Sequence, residues 1–253
     1  MTLIRIGHSP DPDDAFMFYA LTSGKVKAEG LEIQHVLEDI ESLNRRSREA
    51  ELEVTAISVA TYVLVAREPM DPREIPERVV AIPGSHTTAA LLLRLYCGDP
   101  PLIEVAFDKI PKAVLGGQAD LGLLIHEGQI THQAMGLYKV LDLGKEWERE
   151  TNLPLPLGIN VVRRDLGETV GAALSDALRR SIAYAHAHVD EALEYAMKFG
   201  RGIDKETCRR FVLMYVNDYT VTLGQEGRQA LERLYALAHA KGLIPAIPPL
   251  DPI

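Results

Sequence analysis

The chain has 253 residues, 47% hydrophobic and 25% charged, an ordinary globular balance that excludes disorder as its main state. Its 36 acidic residues outweigh 27 basic ones for a formal net charge of −9, so it lacks the basic footprint of a nucleic-acid binder and the polybasic segments that hold anionic membranes. Cys97 and Cys208 stand far apart in no metal-ligating spacing and read as buried free thiols. Arg5 and Asp11 interrupt the N-terminus before any apolar stretch of signal-peptide length. No run reaches the ~18–20 apolar residues of a membrane span, so a cytoplasmic protein is expected.

The first third alternates strand and helix. LIRIG (3–7) is a short apolar strand, and SPDPDD (9–14) then supplies two prolines and helix-capping aspartates ahead of a helix over 14–22 that Gly24 ends. LEIQHVL (31–37) alternates as a strand, Asp39 N-caps the helix IESLNRRSREA, and EVTAIS (53–58) is the third strand. This order implies a parallel sheet with crossover helices. The grammar restarts at RVVAI (78–82), followed by a Pro83-Gly84-Ser85 turn, the helix HTTAALLLRLY, a weak strand IEVA (103–106), the helix DKIPKAVLGG and the buried strand LGLLI. LYKVLDL (137–143) and INVVRR, after the proline-rich LPLPLG (153–158), are further strands. Apolar spacing near 3.6 residues predicts two helices broken near His188, then DKETCRRFVLMYVND and GQEGRQALERLYALAHAKG.

The pattern fits an α/β fold of the two-lobed periplasmic-binding-protein type (type II) with a central cleft. Residues 1–66 and 160–253 would form one lobe, and residues 67–159 the inserted second lobe. Ligands collect beyond the carboxyl ends of such strands, and closure of two lobes excludes water. The strand ends carry His8-Ser9-Pro10-Asp11-Pro12-Asp13-Asp14, Ser58, Gly84-Ser85-His86-Thr87-Thr88 and His126-Glu127-Gly128.

Gly84 to Thr88 opens a helix, where N–H groups, the positive dipole end and two threonine hydroxyls suit a carboxylate or phosphate. The same residues read equally as an ordinary N-cap. His126 ends an apolar strand, where a neutral imidazole is a suitable general base. It reads equally as a histidine bonded to a loop carbonyl, and Glu127 would tend to point away from it. Asp11, Asp13 and Asp14 read as capping residues before a helix rather than as a metal site, and no metal is expected. His186 and His188 read as solvated, His35 and His132 carry no motif, Tyr215 and Asn217 read as packing and capping, and Trp147 reads as a packing anchor.

In this order, GHSPDPDDAFMFYAL (7–21), LEDIESLN (37–44), GSHTTA (84–89), ADLGLLIHEGQ (119–129), LPLPLG (153–158) and YVND (215–218) resemble, nearly end to end, the 1,4-dihydroxy-6-naphthoate synthases of the futalosine route to menaquinone. The resemblance implies the same fold. It also implies a cofactor-independent carbon–carbon lyase that converts cyclic dehypoxanthine futalosine, a carboxylated small molecule, into 1,4-dihydroxy-6-naphthoate and releases a sugar-derived fragment. It implies that His126, which matches the family's I-H-E histidine, is the proton acceptor. Thr87 and Thr88 match the family's substrate-contacting threonine pair, and Ala56, Ile57 and Ser58 its short substrate-binding stretch.

Two departures stand out. Many relatives carry SPCPND where this chain has Asp11 and Asp13, so roles resting on that cysteine and asparagine do not carry over. Relatives also have a glycine-rich segment where Tyr62 here runs straight into Val63. SVATY followed by VLVAR reads as a helical turn meeting a parallel strand of the same sheet, which needs a crossover of a dozen or more residues. Residues are therefore expected to be missing at this point. Two other readings fit the pattern: a solute-binding protein for a small carboxylate, and the sibling pathway enzyme chorismate dehydratase, which shares the fold.

Overall fold

The computed structural model describes residues 1–58, 62–126, 128–155 and 158–253. Its strands, in chain order, are β1 (Thr2–His8), β2 (Leu31–Leu37), β3 (Val54–Ser58), β4 (Val63–Ala66), β5 (Val80–Ile82), β6 (Leu102–Glu104), β7 (Leu121–Leu124), β8 (Tyr138–Asp142) and β9 (Gly158–Val162). They form two sheets, ordered β2-β1-β3-β9 and β6-β5-β7-β4-β8. The chain divides into two compact units, Met1–Ile57 with Gly158–Thr222 and Asp251–Ile253, and Ser58–Leu157 with Leu223–Leu250. No helix among the described residues is long and apolar enough to cross a membrane.

In the first unit β1 pairs parallel with β2 and β3, as the strand–helix grammar requires. Helix Pro12–Thr22 begins on a proline, whose fixed φ and missing N–H suit a first turn, and it buries Phe16, Met17, Phe18 and Tyr19. It packs against helices Gly167–Ala187, Val189–Ala196 and Lys205–Tyr215. The Ser181 hydroxyl pins this layer by donating to the Met17 carbonyl at 2.7 Å. Asp39 caps its helix as expected, accepting from the Glu41 and Ser42 N–H groups, each at 3.1 Å. The long helical run breaks at His188, also as expected.

In the second unit β5 runs parallel to β6 and β7, while β4 runs antiparallel to both β7 and β8. Every residue of β4 and β7 is buried, the signature of interior strands covered on both faces. Val63, Val65, Ala81, Ile110, Val114, Ala119, Leu124 and Leu137 form one apolar cluster. Trp147, in helix Leu143–Thr151, is fully buried and is the anchor its sequence context suggested.

Two expectations from sequence change here. Residues 63–66 were expected in the first lobe, in a parallel strand that would need a crossover. Instead β4 joins the second sheet, antiparallel to its neighbours, and the Tyr62 carbonyl already accepts from the Leu143 N–H at 2.9 Å. No crossover joins β3 to β4, so that topological case for missing residues falls. The helical turn read over Val59–Thr61 lies outside the described residues. Second, helix Gly224–Ala240, expected with the first lobe, packs on helix Thr88–Cys97 of the second unit. Its buried residues include Ala230, Leu231, Leu234 and Ala238, and Lys241 donates to the Leu95 carbonyl at 2.5 Å.

Gly122 sets how closely helix Ile110–Leu115 lies on β7. A Cβ at Gly122 would sit 2.7 Å from Ile110 Cγ2 and 2.8 Å from Val114 Cγ2. Both neighbours are β-branched and buried, so they have little room to rotate away. Gly122→Ala is expected to lower stability by about 1–3 kcal/mol through overpacking, read as a reduced urea midpoint at unchanged slope.

Candidate active site

In the second unit β5 ends at Ile82 and the chain turns through Gly84 into helix Thr88–Cys97. Thr87 is the N-cap: its hydroxyl accepts from the Ala90 N–H at 3.3 Å and donates to the Gly84 carbonyl at 2.7 Å. The helix end therefore uses Thr87 to hold its own turn. Thr88 faces a different partner. Its N–H donates to Ser58 Oγ at 2.9 Å, and its hydroxyl donates to the Ser58 carbonyl at 2.6 Å. Two residues 30 positions apart, both singled out from sequence, thus meet as a doubly bonded pair. Ser85 is tied by its N–H and hydroxyl to the Glu104 carboxylate.

β7 continues through buried Ile125 to His126, whose backbone φ is +52°. A side chain in the left-handed region carries a steric cost of roughly 1–2 kcal/mol, and such strain in native proteins concentrates at functional sites. The turn beyond is closed by the Gln129 N–H donating to the His126 carbonyl at 3.2 Å. The half-buried His126 imidazole meets the Phe107 ring in a tilted edge contact, with centroids 5.0 Å apart and planes at 64°. Phe107 went unnoticed in the sequence, since a lone aromatic beside a weak strand carries no local signal. Glu127 lies outside the described residues. His132 donates from Nδ1 to the Gln129 carbonyl at 2.9 Å, which bonds it within the same turn.

In the first unit, Ala56 is buried and Ile57 half-buried near the end of β3. At the end of β1, His8 is buried, stacks on Phe18 with centroids 4.4 Å apart, and places Nε2 3.0 Å from His35 Nδ1. Thr22 gives its proton to the Phe18 carbonyl. Its oxygen also lies 3.4 Å from His35 Nε2, and His8 Nδ1 lies 3.4 Å from the Ser9 carbonyl. One proton bridges the two facing ring nitrogens of the pair. Burial, and then the neighbouring His35, push the His8 pKa down to about 3. This histidine pair is 27 residues apart in sequence and left no motif.

The aspartates do not cap as expected. Asp11 occupies the N-cap position but makes no side-chain cap bond. It binds the Ser9 hydroxyl and the Arg201 guanidinium instead. Asp14 accepts the Ser9 N–H at 2.7 Å. Burial, and then the Asp11 charge, raise the Asp14 pKa to about 7. Burial, followed by the Asp14 and Asp11 charges, holds Asp13 well above the ordinary carboxylate range. A carboxyl kept protonated offers one hydrogen-bond donor besides its acceptors.

A family model described as menaquinone biosynthesis matches residues 4–70 and 62–240. The chain belongs to that family. The 1,4-dihydroxy-6-naphthoate synthase of Thermus thermophilus is 41% identical over 265 residues, covering 96% of each chain. A crystal structure of a protein from Archaeoglobus fulgidus is 47% identical at a TM-score of 0.92, covering 96% of this chain and 98% of that one. The alkanesulfonate-binding protein of Xanthomonas axonopodis has a TM-score of 0.72 at 10% identity, covering 97% of this chain and 95% of that one, and shares the fold alone. The fold is thus the periplasmic-binding-protein type expected from sequence. The alignment with the Thermus thermophilus protein spans 265 positions, more than the 253 residues of this chain, so some of its positions have no counterpart here. The two matched segments of the family overlap at 62–70, where Tyr62 runs into β4.

Two outcomes follow. His126→Gly is expected to be more stable than His126→Ala by about 1 kcal/mol, since glycine alone takes the left-handed backbone without a Cβ penalty; paired denaturant curves check this. The His8 imidazole is expected to stay neutral as pH falls from 8 to 5, seen as flat NMR shifts, because its folded pKa lies at about 3. Its unfolded pKa is ordinary, so its contribution to stability is present above about 6.5 and is lost as pH falls toward 3. Asp14 opposes this, because a folded pKa of about 7 favours the folded state below that pH.

Proposed function

We propose that the chain is a 1,4-dihydroxy-6-naphthoate synthase that acts on cyclic dehypoxanthine futalosine, with His126 as the proton acceptor. The observation that carries this reading is 41% identity to a relative of that name across nearly the whole of both chains. The left-handed backbone of His126, at the carboxyl end of an interior strand, supports its role.

The residues divide the work. Thr88 spends both of its donors on Ser58 and so fixes Ser58 at the helix N-terminus, the end that suits the substrate carboxylate. Thr87 serves the same end indirectly by closing the cap that shapes it. The His126 imidazole takes a proton from the substrate carbon skeleton. The electron pair released forms the new unsaturation as the sugar-derived fragment leaves, and aromatisation to the naphthoate drives the step forward.

Purified protein incubated with cyclic dehypoxanthine futalosine is expected to yield 1,4-dihydroxy-6-naphthoate, and chorismate is expected to remain unchanged. Dehydration of chorismate instead would assign the sibling activity, and tight binding of the substrate without turnover would assign a binding protein. His126→Ala is expected to lower turnover by ~10²–10⁴-fold at unchanged circular dichroism, the range of a general base. Near wild-type turnover in that variant would remove His126 from the role.

A further inference from the structure

We propose that Phe107 is a positioning residue for the proton-transfer step, its ring fixing the direction in which the His126 imidazole faces. The inference rests on the reading of His126 as proton acceptor and extends it to a residue that carries no sequence motif.

The need for such a residue follows from where His126 sits. It lies past the last ladder residue of β7, in a left-handed conformation, at the start of a turn. Sheet neighbours fix side chains within a strand, whereas past the ladder the direction of a side chain is set by what packs against it. A proton acceptor tolerates little misdirection, because misplacement by about 1 Å can cost on the order of 10²-fold in rate. The Phe107 ring is part of that packing. Its centroid lies 5.0 Å from that of the imidazole at 64°, within the ~4.5–7 Å range and tilted geometry that aromatic pairs favour.

Phe107 is itself held. It opens the 3-10 turn Phe107–Lys109, closed by the Lys109 N–H donating to the Ala106 carbonyl at 2.8 Å. That turn runs directly into helix Ile110–Leu115, and this helix is seated on β7 where Gly122 leaves room for Ile110 and Val114. The strand that delivers His126 and the helix that delivers Phe107 are thus packed against each other four residues upstream of the histidine. The aromatic contact is the far end of a rigid connection, which is what a positioning role requires.

The experiment is a double-mutant cycle on the full chain, assayed for naphthoate formation. Phe107→Leu and Phe107→Met keep an apolar side chain and remove the planar ring. Each is expected to lower kcat by roughly 10–100-fold with KM within about twofold, while Phe107→Tyr stays within about threefold of wild type. In the His126→Ala background, Phe107→Leu is expected to cause no further loss, because the ring acts only through the imidazole. Thermal unfolding identifies any variant that fails to fold, and the second substitution then carries the test. If His126→Ala is inactive but both Phe107→Leu and Phe107→Met retain wild-type kcat, the Phe107 role is overturned and the His126 reading stands. Equal losses in both backgrounds also overturn it, since they mark a purely structural effect. Near wild-type turnover in His126→Ala overturns the reading of the base and Phe107 with it.

Discussion

The arrangement of the second unit depends on one close approach. Gly122 removes a side chain from the middle of β7, and helix Ile110–Leu115 settles into the space so that Ile110 and Val114 pack on the strand itself. Interiors packed to crystal density transmit such contacts without slack. The helix start therefore has a fixed height over the sheet, and with it the turn that carries Phe107. The strand end has the complementary position, and with it His126. The aromatic contact at 5.0 Å is the consequence of a glycine several residues away.

Electrostatics organises the end of β1 in the first unit. Groups that are charged in water are held neutral or paired there by burial. His8 is pushed down to about 3 and shares one proton with His35, while Asp14 is raised to about 7 beside Asp11. Asp11 pairs with the Arg201 guanidinium. Burying an unpaired charge is costly, so each group either finds a partner or gives up its ionisation. The neutral forms leave hydrogen-bond donors and acceptors rather than net charge at this strand end.

The two threonines at the helix N-terminus go to different partners. Thr87 spends its hydroxyl on Ala90 and Gly84, as a cap does. Thr88 reaches Ser58 instead, with both its N–H and its hydroxyl. A fold shared with an alkanesulfonate-binding protein at 10% identity provides the strand ends, and the residues placed on them distinguish one chemistry from another.

Local sequence determined most of the elements, because helix and strand periods, prolines and caps act over a few residues. The Asp39 cap, the break at His188 and the buried Trp147 were legible for that reason. The family itself was legible from the order of six motifs along the chain. What local sequence left open is pairing across distance. VLVA reads as an interior strand in either sheet, and only the antiparallel ladder with β7 and β8 assigns it to the second. Helix Gly224–Ala240 has an apolar face that says nothing of which layer will cover it. His8 with His35, Ser58 with Thr88 and Phe107 with His126 are contacts between residues far apart in the chain. Such contacts exist only after the chain has packed, since their geometry is set by the elements beneath them rather than by neighbours in sequence.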